Sequence, residues 1–335
     1  MLTQFKAILS SPRLAWPKRL YGHGDPIWKL LLILGSVLVA VLIIAIGWML
    51  WNQSADARAE FGWGFLLPSL DARWDPVADS FRAWPFVYGT LVTSLVAILL
   101  AVPMSVGVAI FLAELCPTWL RLPLNWMIEL LAAIPSVVYG LWGIFVFLPK
   151  AVPLVGGVLS KTLGQIPGLG VLFAGPVPQS GASRLGAAFV LTIMIMPTIT
   201  AVSRDVLLSI PNSQREASLA LGSTKWEAIW RVLLPYGLSG ILGAVLLGLG
   251  RALGETMAVT MVIGNSITAR PTLLSPGYTM ASVIANEFAE AVSKLHSQVL
   301  IEIGLVLFFL TLVLNVAARF LVWSVAQRTS CEVRL

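Results

Sequence analysis

Six apolar segments, each long enough to cross a bilayer, constrain this chain more than any other feature. They lie near 28–51, 86–113, 124–148, 185–203, 236–264 and 299–323. About 20 apolar residues span the hydrocarbon core as a helix. Hydrophobic residues make up 58% of the 335-residue chain and charged residues 11%, whereas a soluble domain carries about 25% charge. The sequence therefore predicts an all-α polytopic membrane protein with six transmembrane helices.

The predicted organisation is a basic N-terminal tail (1–27), a transmembrane domain (28–323) and a short C-terminal tail (324–335). One side of the membrane holds both tails and the loop 204–235. The Lys and Arg residues on that side are Lys6, Arg13, Lys18, Arg19, Arg121, Arg204, Arg215, Lys225, Arg231, Arg319, Arg328 and Arg334, and those on the other are Arg58, Arg73, Arg82, Lys150, Lys161, Arg184, Arg270 and Lys294. Because cytoplasmic loops carry the excess of Lys and Arg, both termini are predicted to be cytoplasmic.

Several functional classes find no support in the composition. No basic run is dense enough to indicate nucleic-acid binding. Cys116 and Cys331 are isolated, and His23 and His296 are too far apart to suggest a metal site. The nearest approach to a nucleotide-binding loop, 157–162, lacks the glycine before its lysine. We therefore predict a non-catalytic chain with no catalytic residue, metal or bound cofactor, so that any ATP hydrolysis belongs to a separate chain.

A charged pair inside the fifth apolar segment is the strongest candidate site. Arg251 and Glu255 lie four residues apart, which predicts that both lie on one helix face as an ion pair. A charge at bilayer depth is costly unless it is paired or lines a polar path. The same reasoning makes four hydroxyls candidates for the path, although each is more often a packing hydroxyl bonded within its own helix: Ser136, Thr198, Thr256 and Thr260.

Two glycines frame that charged pair. Gly250 and Gly254 have the spacing of small residues at helix interfaces, which predicts close helix packing on this face.

The loop 204–235 has a pattern of its own. The sequence predicts a short helix over 212–221, a break at Gly222, and a second helix over 223–233. Thr224 and Glu227 have the spacing of a capping box. Pro235 is predicted to separate the second helix from the following span.

The spacing in this loop resembles the EAA loop of ABC importer permeases. That pattern is Glu-Ala-Ala, three residues, Gly, nine residues, Ile, one residue, Leu-Pro. Here it is met by Glu216, Ala217, Gly222, Leu234 and Pro235, whereas Ser218 and Val232 replace the third and the Ile positions. The resemblance implies that the first short helix couples to an ATPase subunit. Without it, an amphipathic helix lying on the membrane would be the favoured interpretation.

Further motifs resemble phosphate-specific ABC importer permeases, in particular the first of their two related permeases. They are 250–259 (GRALGETMAV), 282–290 (SVIANEFAE), 305–315 (LVLFFLTLVLN), 133–140 (AIPSVVYG) and 194–198 (MIMPT). The resemblance implies the type I permease fold of ABC importers in a bacterial inner membrane. It implies as partners a second permease, an ATPase dimer that binds ATP and Mg²⁺, and an external phosphate-binding protein that would dock near Asn286 and Glu287. A local cap or structural bond is at least as good an interpretation of these two residues.

The resemblance also implies a role in translocation for Arg251 and Glu255. A guanidinium stays charged when desolvated and its forked donors match phosphate oxygens. We hypothesise an exchange in which entering phosphate competes with Glu255 for Arg251. The alternative is that the pair only fixes the fifth helix to a neighbour. At the level of the whole chain, the alternatives are a sulfate or molybdate permease, a secondary transporter or channel working without an ATPase, and a signalling scaffold.

Overall fold

The computed structural model describes residues 25–67, 74–168, 170–267 and 270–332, with side chains from 28 to 324 within these ranges. The chain divides into two compact units, residues 1–52 and 53–335. The first contains the apolar helix α1 (Asp25–Gln53), which ends at the boundary. Most of the predicted tail 1–27 lies outside the described residues.

The second unit is helical, and its described residues contain one isolated bridge, Asp75–Ser80, and no strand. Its α-helices are α2 (Ala55–Phe61), α3 (Trp84–Ile110), α4 (Thr118–Ala133), α5 (Ser136–Trp142), α6 (Leu148–Thr162), α7 (Gly170–Phe173), α8 (Arg184–Ser209), α9 (Asn212–Ala220), α10 (Lys225–Ala228), α11 (Leu234–Gly254), α12 (Met257–Val262), α13 (Met280–Glu287) and α14 (Lys294–Glu332). Three π turns, Phe111–Leu115, Gly143–Phe147 and Ile229–Leu233, extend or join some of them. The predicted all-α class is confirmed.

Six described helical stretches are long and apolar enough to cross a membrane, as predicted. They are Trp28–Gln53, Trp84–Leu115, Ser136–Gln165, Arg184–Ser209, Lys225–Gly254 and Lys294–Ser324. The last helix continues to Glu332, so most of the segment predicted as a C-terminal tail is helical.

The third stretch differs most from its predicted bounds, 124–148. α4 ends at Ala133, and Ile134 and Pro135 adopt extended backbone, because proline disfavours the helical conformation in the residue before it. The apolar helical stretch instead begins at Ser136 and runs to Gln165. It thus enters the segment 149–183, whose glycines and prolines had predicted an irregular outer loop.

The π turns before Pro149 and Pro235 explain why the helices continue past these prolines, contrary to prediction. Proline lacks an N–H, and its ring crowds the carbonyl four residues earlier. A π turn is wider than an α turn, which gives that carbonyl room, and the residue before the proline bonds the carbonyl five residues back. The helical run therefore continues through Pro149 and Pro235, and the predicted separation at Pro235 is wrong. The π-type bonds run from Cys116 to Phe111, Leu148 to Gly143 and Leu234 to Ile229, and each donor directly precedes a proline.

α8 is the central helix of the second unit. Its most apolar window is 67% buried, against 22–33% for the other long apolar stretches of this unit. Hydroxyl groups tie it to α3: Ser105 Oγ donates to the Met196 carbonyl at 3.2 Å. α11 lies close on another side, since a Cβ on Gly248 would fall 2.6 Å from Ile199, as expected where small residues let membrane helices approach. This packing places the middle of α8 beside the last turns of α11.

Candidate functional site

Arg251 lies in the last turn of α11 and is half-buried. Its Nη1 donates a hydrogen bond to Thr198 Oγ1, in the middle of α8, at 3.2 Å. Among the described residues, the ion pairs within 4 Å involve Arg204, Arg215, Lys294 and His296, and Arg251 has no carboxylate within that distance. A guanidinium has five N–H donors, so one neutral hydroxyl leaves most of its capacity for water or an oxyanion.

Glu255 lies just beyond the end of α11, so the predicted ion pair with Arg251 is wrong. The helix ends at Gly254, and Glu255 adopts an extended backbone with φ −70° and ψ 123°. Its Oε1 accepts a hydrogen bond from the Ala258 N–H at 3.0 Å. The carboxylate thus satisfies a backbone donor that the first turn of α12 leaves without a helical partner. The four-residue spacing predicts a shared face only in an unbroken helix, and the helix breaks between the two residues.

The remaining candidate hydroxyls lie around this helix break. Thr256 Oγ1 donates to the Gly254 carbonyl at 3.3 Å and Thr260 Oγ1 to the Thr256 carbonyl at 2.7 Å. Ser136 is the first residue of α5 and is half-buried, and α5 packs against α12. Thr256 and Thr260 therefore bond local carbonyls, as is common for such hydroxyls in membrane helices.

The glycines on α11 fall into two sets. Gly240 and Gly248 pack against Val206 and Ile199 of α8. A Cβ on Gly250 or Gly254 would meet nothing within 4 Å among the described atoms of this chain. The close packing predicted at Gly250 and Gly254 is therefore not formed among the described residues, and with respect to those residues their face is open.

The loop after α8 has the predicted helix–break–helix form. α9 covers Asn212–Ala220, and Gly222 has a φ of +85°, a conformation that a glycine adopts readily. The capping box is present, with the Glu227 N–H donating to Thr224 Oγ1 at 3.3 Å and the Thr224 N–H to Glu227 Oε2 at 2.9 Å. The second helix is the α-turn α10 followed by the π turn, and it continues into α11.

The residues that match the EAA pattern are on the surface. Glu216, Ala217, Gly222 and Pro235 are exposed, and Leu234 is half-buried. Trp226 and Trp230 are 55% and 56% exposed, with ring centroids 6.0 Å apart. Exposed tryptophans are common at protein interfaces and at the surface of the membrane. This tryptophan pair was not predicted as a site from the sequence, although its four-residue spacing predicts a shared helix face.

A largely buried ion pair in this loop was also not predicted from the sequence. Arg215 Nη2 lies 2.7 Å from Glu114 Oε1, and the two side chains are 18% and 15% exposed. Glu114 belongs to the π turn that ends α3. The two residues are 101 positions apart, so no local pattern could have paired them.

On the opposite side of the chain, Glu287 joins three elements. Trp74 Nε1 donates to Glu287 Oε2 at 2.6 Å, and His296 Nε2 lies 3.2 Å from the same oxygen. Asn286 Nδ2 donates to the Tyr278 hydroxyl at 3.4 Å, and burial raises the pKa of that phenol. These residues line a cavity of about 750 Å³. Glu287 therefore has a structural bond, one of the two roles expected for it.

Comparison with known proteins identifies the family. The model of the binding-protein-dependent transport system inner membrane component matches residues 105–330. The phosphate transport system permease protein PstC of Xylella fastidiosa (strain 9a5c) is 44% identical over 309 residues, which cover 92% of this chain and 93% of that protein. The PstC of Pasteurella multocida (strain Pm70) is 44% identical over 293 residues, covering 88% and 90%.

Solved structures agree on the fold. A chain of the bacterial alginate ABC transporter, in complex with alginate pentasaccharide-bound periplasmic protein, has a TM-score of 0.58 at 17% identity and covers 90% of this chain and 96% of its own length. A chain of the MetNI methionine ABC transporter in an inward-facing conformation has a TM-score of 0.52 at 18% identity, covering 76% and 99%. The chain belongs to the family of binding-protein-dependent transport system inner membrane components, among the phosphate transport permeases related to PstC.

Proposed function

We propose that this chain is a transmembrane permease subunit of an ATP-driven inorganic phosphate importer, where it forms half of the translocation path. Relatives named phosphate transport system permease proteins match it over 90–92% of its length. The observation that carries the proposal is the half-buried Arg251. It bonds the neutral Thr198 hydroxyl and has no carboxylate within 4 Å among the described residues.

Arg251 supplies the chemistry that an oxyanion needs. A guanidinium remains charged in a half-buried position and presents paired donors to two oxygens of a tetrahedral anion. Entering phosphate displaces the hydroxyl of Thr198 rather than a carboxylate, so it need not compete with a negative charge. This replaces the exchange with Glu255, whose Oε1 accepts the Ala258 N–H instead. Because Arg251 is a single cation, phosphate binds weakly enough to leave.

The remainder of the path is completed by neighbouring groups and by a second permease. Ser136 and Thr256 lie on elements that pack around the break after α11, and we propose that both contribute hydroxyls to the path. The open face at Gly250 and Gly254 accommodates the second permease subunit. Small residues on such a face permit close approach of a partner helix.

The exposed loop around α9 is the proposed contact with the ATPase. Glu216, Ala217 and Gly222 would meet one subunit of the ATPase dimer, with Leu234 and Pro235 at the base of the loop. ATP and Mg²⁺ bind to that partner, and this chain binds no cofactor. Both termini then lie in the cytoplasm of a bacterial cell, and a phosphate-binding protein docks on the outer side.

The test is uptake of radiolabelled phosphate into proteoliposomes that contain this chain, its second permease and its ATPase. The binding protein is added on the side from which phosphate is taken up. We expect uptake that requires hydrolysable ATP and the binding protein, and that a tenfold excess of sulfate does not reduce. Vesicles with a non-hydrolysable ATP analogue are the matched control.

Two results would contradict the proposal. Phosphate uptake without ATP would indicate a secondary transporter or channel. Uptake abolished by sulfate would indicate a permease for oxyanions in general, since an arginine alone does not discriminate among tetrahedral anions.

A further inference from the structure

Arg215 is the most completely bonded cation in the described cytoplasmic-side loop. Its guanidinium donates to three kinds of acceptor at once: a carboxylate, two backbone carbonyls and an amide oxygen. The bonds are Nη2 to Glu114 Oε1 (2.7 Å), Nε to Glu114 Oε1 (3.0 Å) and Oε2 (3.3 Å), Nη1 to the Ile210 carbonyl (2.6 Å) and Asn212 Oδ1 (3.2 Å), and Nη2 to the Leu207 carbonyl (2.7 Å).

These acceptors belong to different helices. Leu207 and Ile210 lie at the end of α8, where the last carbonyls have no helical donor, and a cation there also complements the helix dipole. Glu114 lies in the π turn that ends α3, and Asn212 begins α9. One side chain on α9 thus holds the ends of α3 and α8 together.

Apolar packing of α9 against the same region is sparse. Ser218 is the one residue of this helix that is buried, and Leu219 is 44% exposed. A cavity of about 210 Å³ lies beside the helix, lined by Leu219, Ile229, Leu233 and the Arg215–Glu114 pair. An incompletely packed contact can yield when the helix is pushed, so a rigid connection between α9 and α3 must be polar.

The far ends of this connection reach the proposed path. α3 and α8 pack along their length, and hydroxyls bridge them, for example Thr200 Oγ1 to the Ser105 carbonyl at 3.4 Å. α8 also carries Thr198, which holds Arg251. A displacement applied at α9 and passed on by Arg215 therefore reaches the helix that positions Arg251.

We propose that the Arg215–Glu114 pair is the rigid link that makes α3, α8 and α9 move as one body when the ATPase displaces α9. Both are positioning residues, since neither touches phosphate or nucleotide, and this role rests on the proposed function. Removing one partner leaves the other charge poorly solvated, because both side chains are more than four-fifths buried, and broken pairs of this kind are the costly ones.

The first experiment measures ATP hydrolysed per phosphate transported in the full reconstituted complex. Glu114→Gln keeps the shape and one acceptor oxygen, and Arg215→Lys keeps the charge but loses the fork. We expect the ratio to rise by roughly threefold to tenfold in Glu114→Gln, which lies within the range found when a residue that couples two sites is changed. Arg215→Lys is expected to give a smaller rise.

Asp205→Asn is the matched control. Asp205 is a 64% exposed carboxylate that lies 2.8 Å from Arg204 at the same end of α8, and Arg204 keeps Glu129 at 3.9 Å. We expect this variant to keep the wild-type ratio. A ratio unchanged in Glu114→Gln, with only the amount of assembled complex reduced, would show that the pair merely stabilises the fold and would overturn the proposal.

A second measurement, of the distance between two spin labels, does not depend on which substrate the complex transports. Spin labels replace the exposed Leu221 beyond α9 and Leu99 on α3, in a chain whose Cys116 and Cys331 are serine. We expect their separation to be the same with and without nucleotide in the wild-type pair, and to change with nucleotide in Glu114→Gln. Equal behaviour of both chains would refute the rigid link even if phosphate proved not to be the substrate, whereas failure of wild-type phosphate uptake alone would refute only the proposed function.

Discussion

Arg251 and Arg215 are guanidinium groups of one chain with opposite degrees of bonding. Among the described residues, the Arg251 side chain donates one hydrogen bond, to a hydroxyl at 3.2 Å. Arg215 bonds a carboxylate in forked geometry together with two carbonyls and an amide oxygen. A guanidinium whose donors are occupied fixes the structure around it, whereas one with donors to spare can take a ligand. This contrast underlies our proposal that Arg215 is a structural arginine and that Arg251 binds the anion.

The helices around each arginine explain this difference. Arg215 lies beside the end of α8, where carbonyl oxygens have no helical partner. Thr198, by contrast, lies in the middle of α8, and the acceptor that it offers Arg251 is a neutral side-chain hydroxyl.

The largest effect is expected from Arg251→Gln, which removes the proposed phosphate ligand but keeps hydrogen-bonding capacity toward Thr198. We expect phosphate uptake to fall roughly a hundredfold, as on removal of a charged partner from a desolvated contact, with normal assembly. Uptake in proteoliposomes at matched protein amounts checks this. Lys161→Gln, which removes an exposed cation, is the control, and normal uptake by Arg251→Gln would place Arg251 with the structural arginines.

Arg251→Lys sharpens the comparison of Arg251 with Arg215, because it keeps the positive charge and loses the paired donors of the guanidinium. Lysine offers a point charge where the guanidinium offers paired donors. We expect uptake to fall about tenfold, the equivalent of one charge-assisted hydrogen bond. Initial rates over a range of phosphate concentrations would show it, and a loss as complete as that of Arg251→Gln would indicate a purely geometric role.

Substitutions of Glu255 test whether this carboxylate acts as a charge or as a cap. Glu255→Gln retains an oxygen that can accept the Ala258 N–H, so we expect uptake within about twofold of wild type and unchanged thermal stability. Glu255→Ala removes the acceptor and is expected to cost about 1 kcal/mol of stability, as for other lost helix caps. The thermal midpoint of the purified complex distinguishes them, and a Gln variant without uptake would revive a charge-based role.

The smallest effect is expected at the exposed pair of Asp56 and Lys294, 2.9 Å apart. Hydrogen bonds from Gln298 and Lys294 lower the pKa of Asp56 below its ordinary value of 3.8. A lowered pKa in the folded state contributes stability above the ordinary value, and that contribution is lost as the pH falls through the folded-state pKa. Asp56→Asn should therefore be slightly less stable than wild type at neutral pH. The two thermal midpoints should converge under acid conditions, and a gap that widened on acidification would contradict this account.

Local patterns in the sequence predicted the features that depend on local physics. The number of apolar stretches, six, follows from length and composition, although the third begins at Ser136 and not near 124. The break at Gly222 and the capping box of Thr224 and Glu227 follow from offsets of a few residues, and all are confirmed. The match of the surrounding loop to its family pattern also came from fixed offsets.

The wrong or missed predictions have two causes: a local change of helix geometry that residue spacing does not reveal, and a contact between residues far apart in the sequence. Glu255 lies four residues after Arg251, but the helix ends between the two residues. Its carboxylate instead accepts a hydrogen bond from the Ala258 N–H, which has no partner within the helix. Pro235 was predicted to separate two helices, but the π turn before it allows the helix to continue. Arg215 finds Glu114 only because α3 and α8 end side by side.

The π turn Ile229–Leu233 also sets the rotation, about its own axis, of the helix that follows it. An ordinary α-helix advances about 100° per residue, and a π turn carries one residue more than an α turn. Everything after Leu233 is therefore turned by about that angle relative to a helix without the insertion. Deleting one residue after Trp230 would leave both tryptophans of the loop in place and swing Arg251 away from Thr198, so a single inserted residue sets the rotation of Arg251 relative to the exposed faces of Trp226 and Trp230.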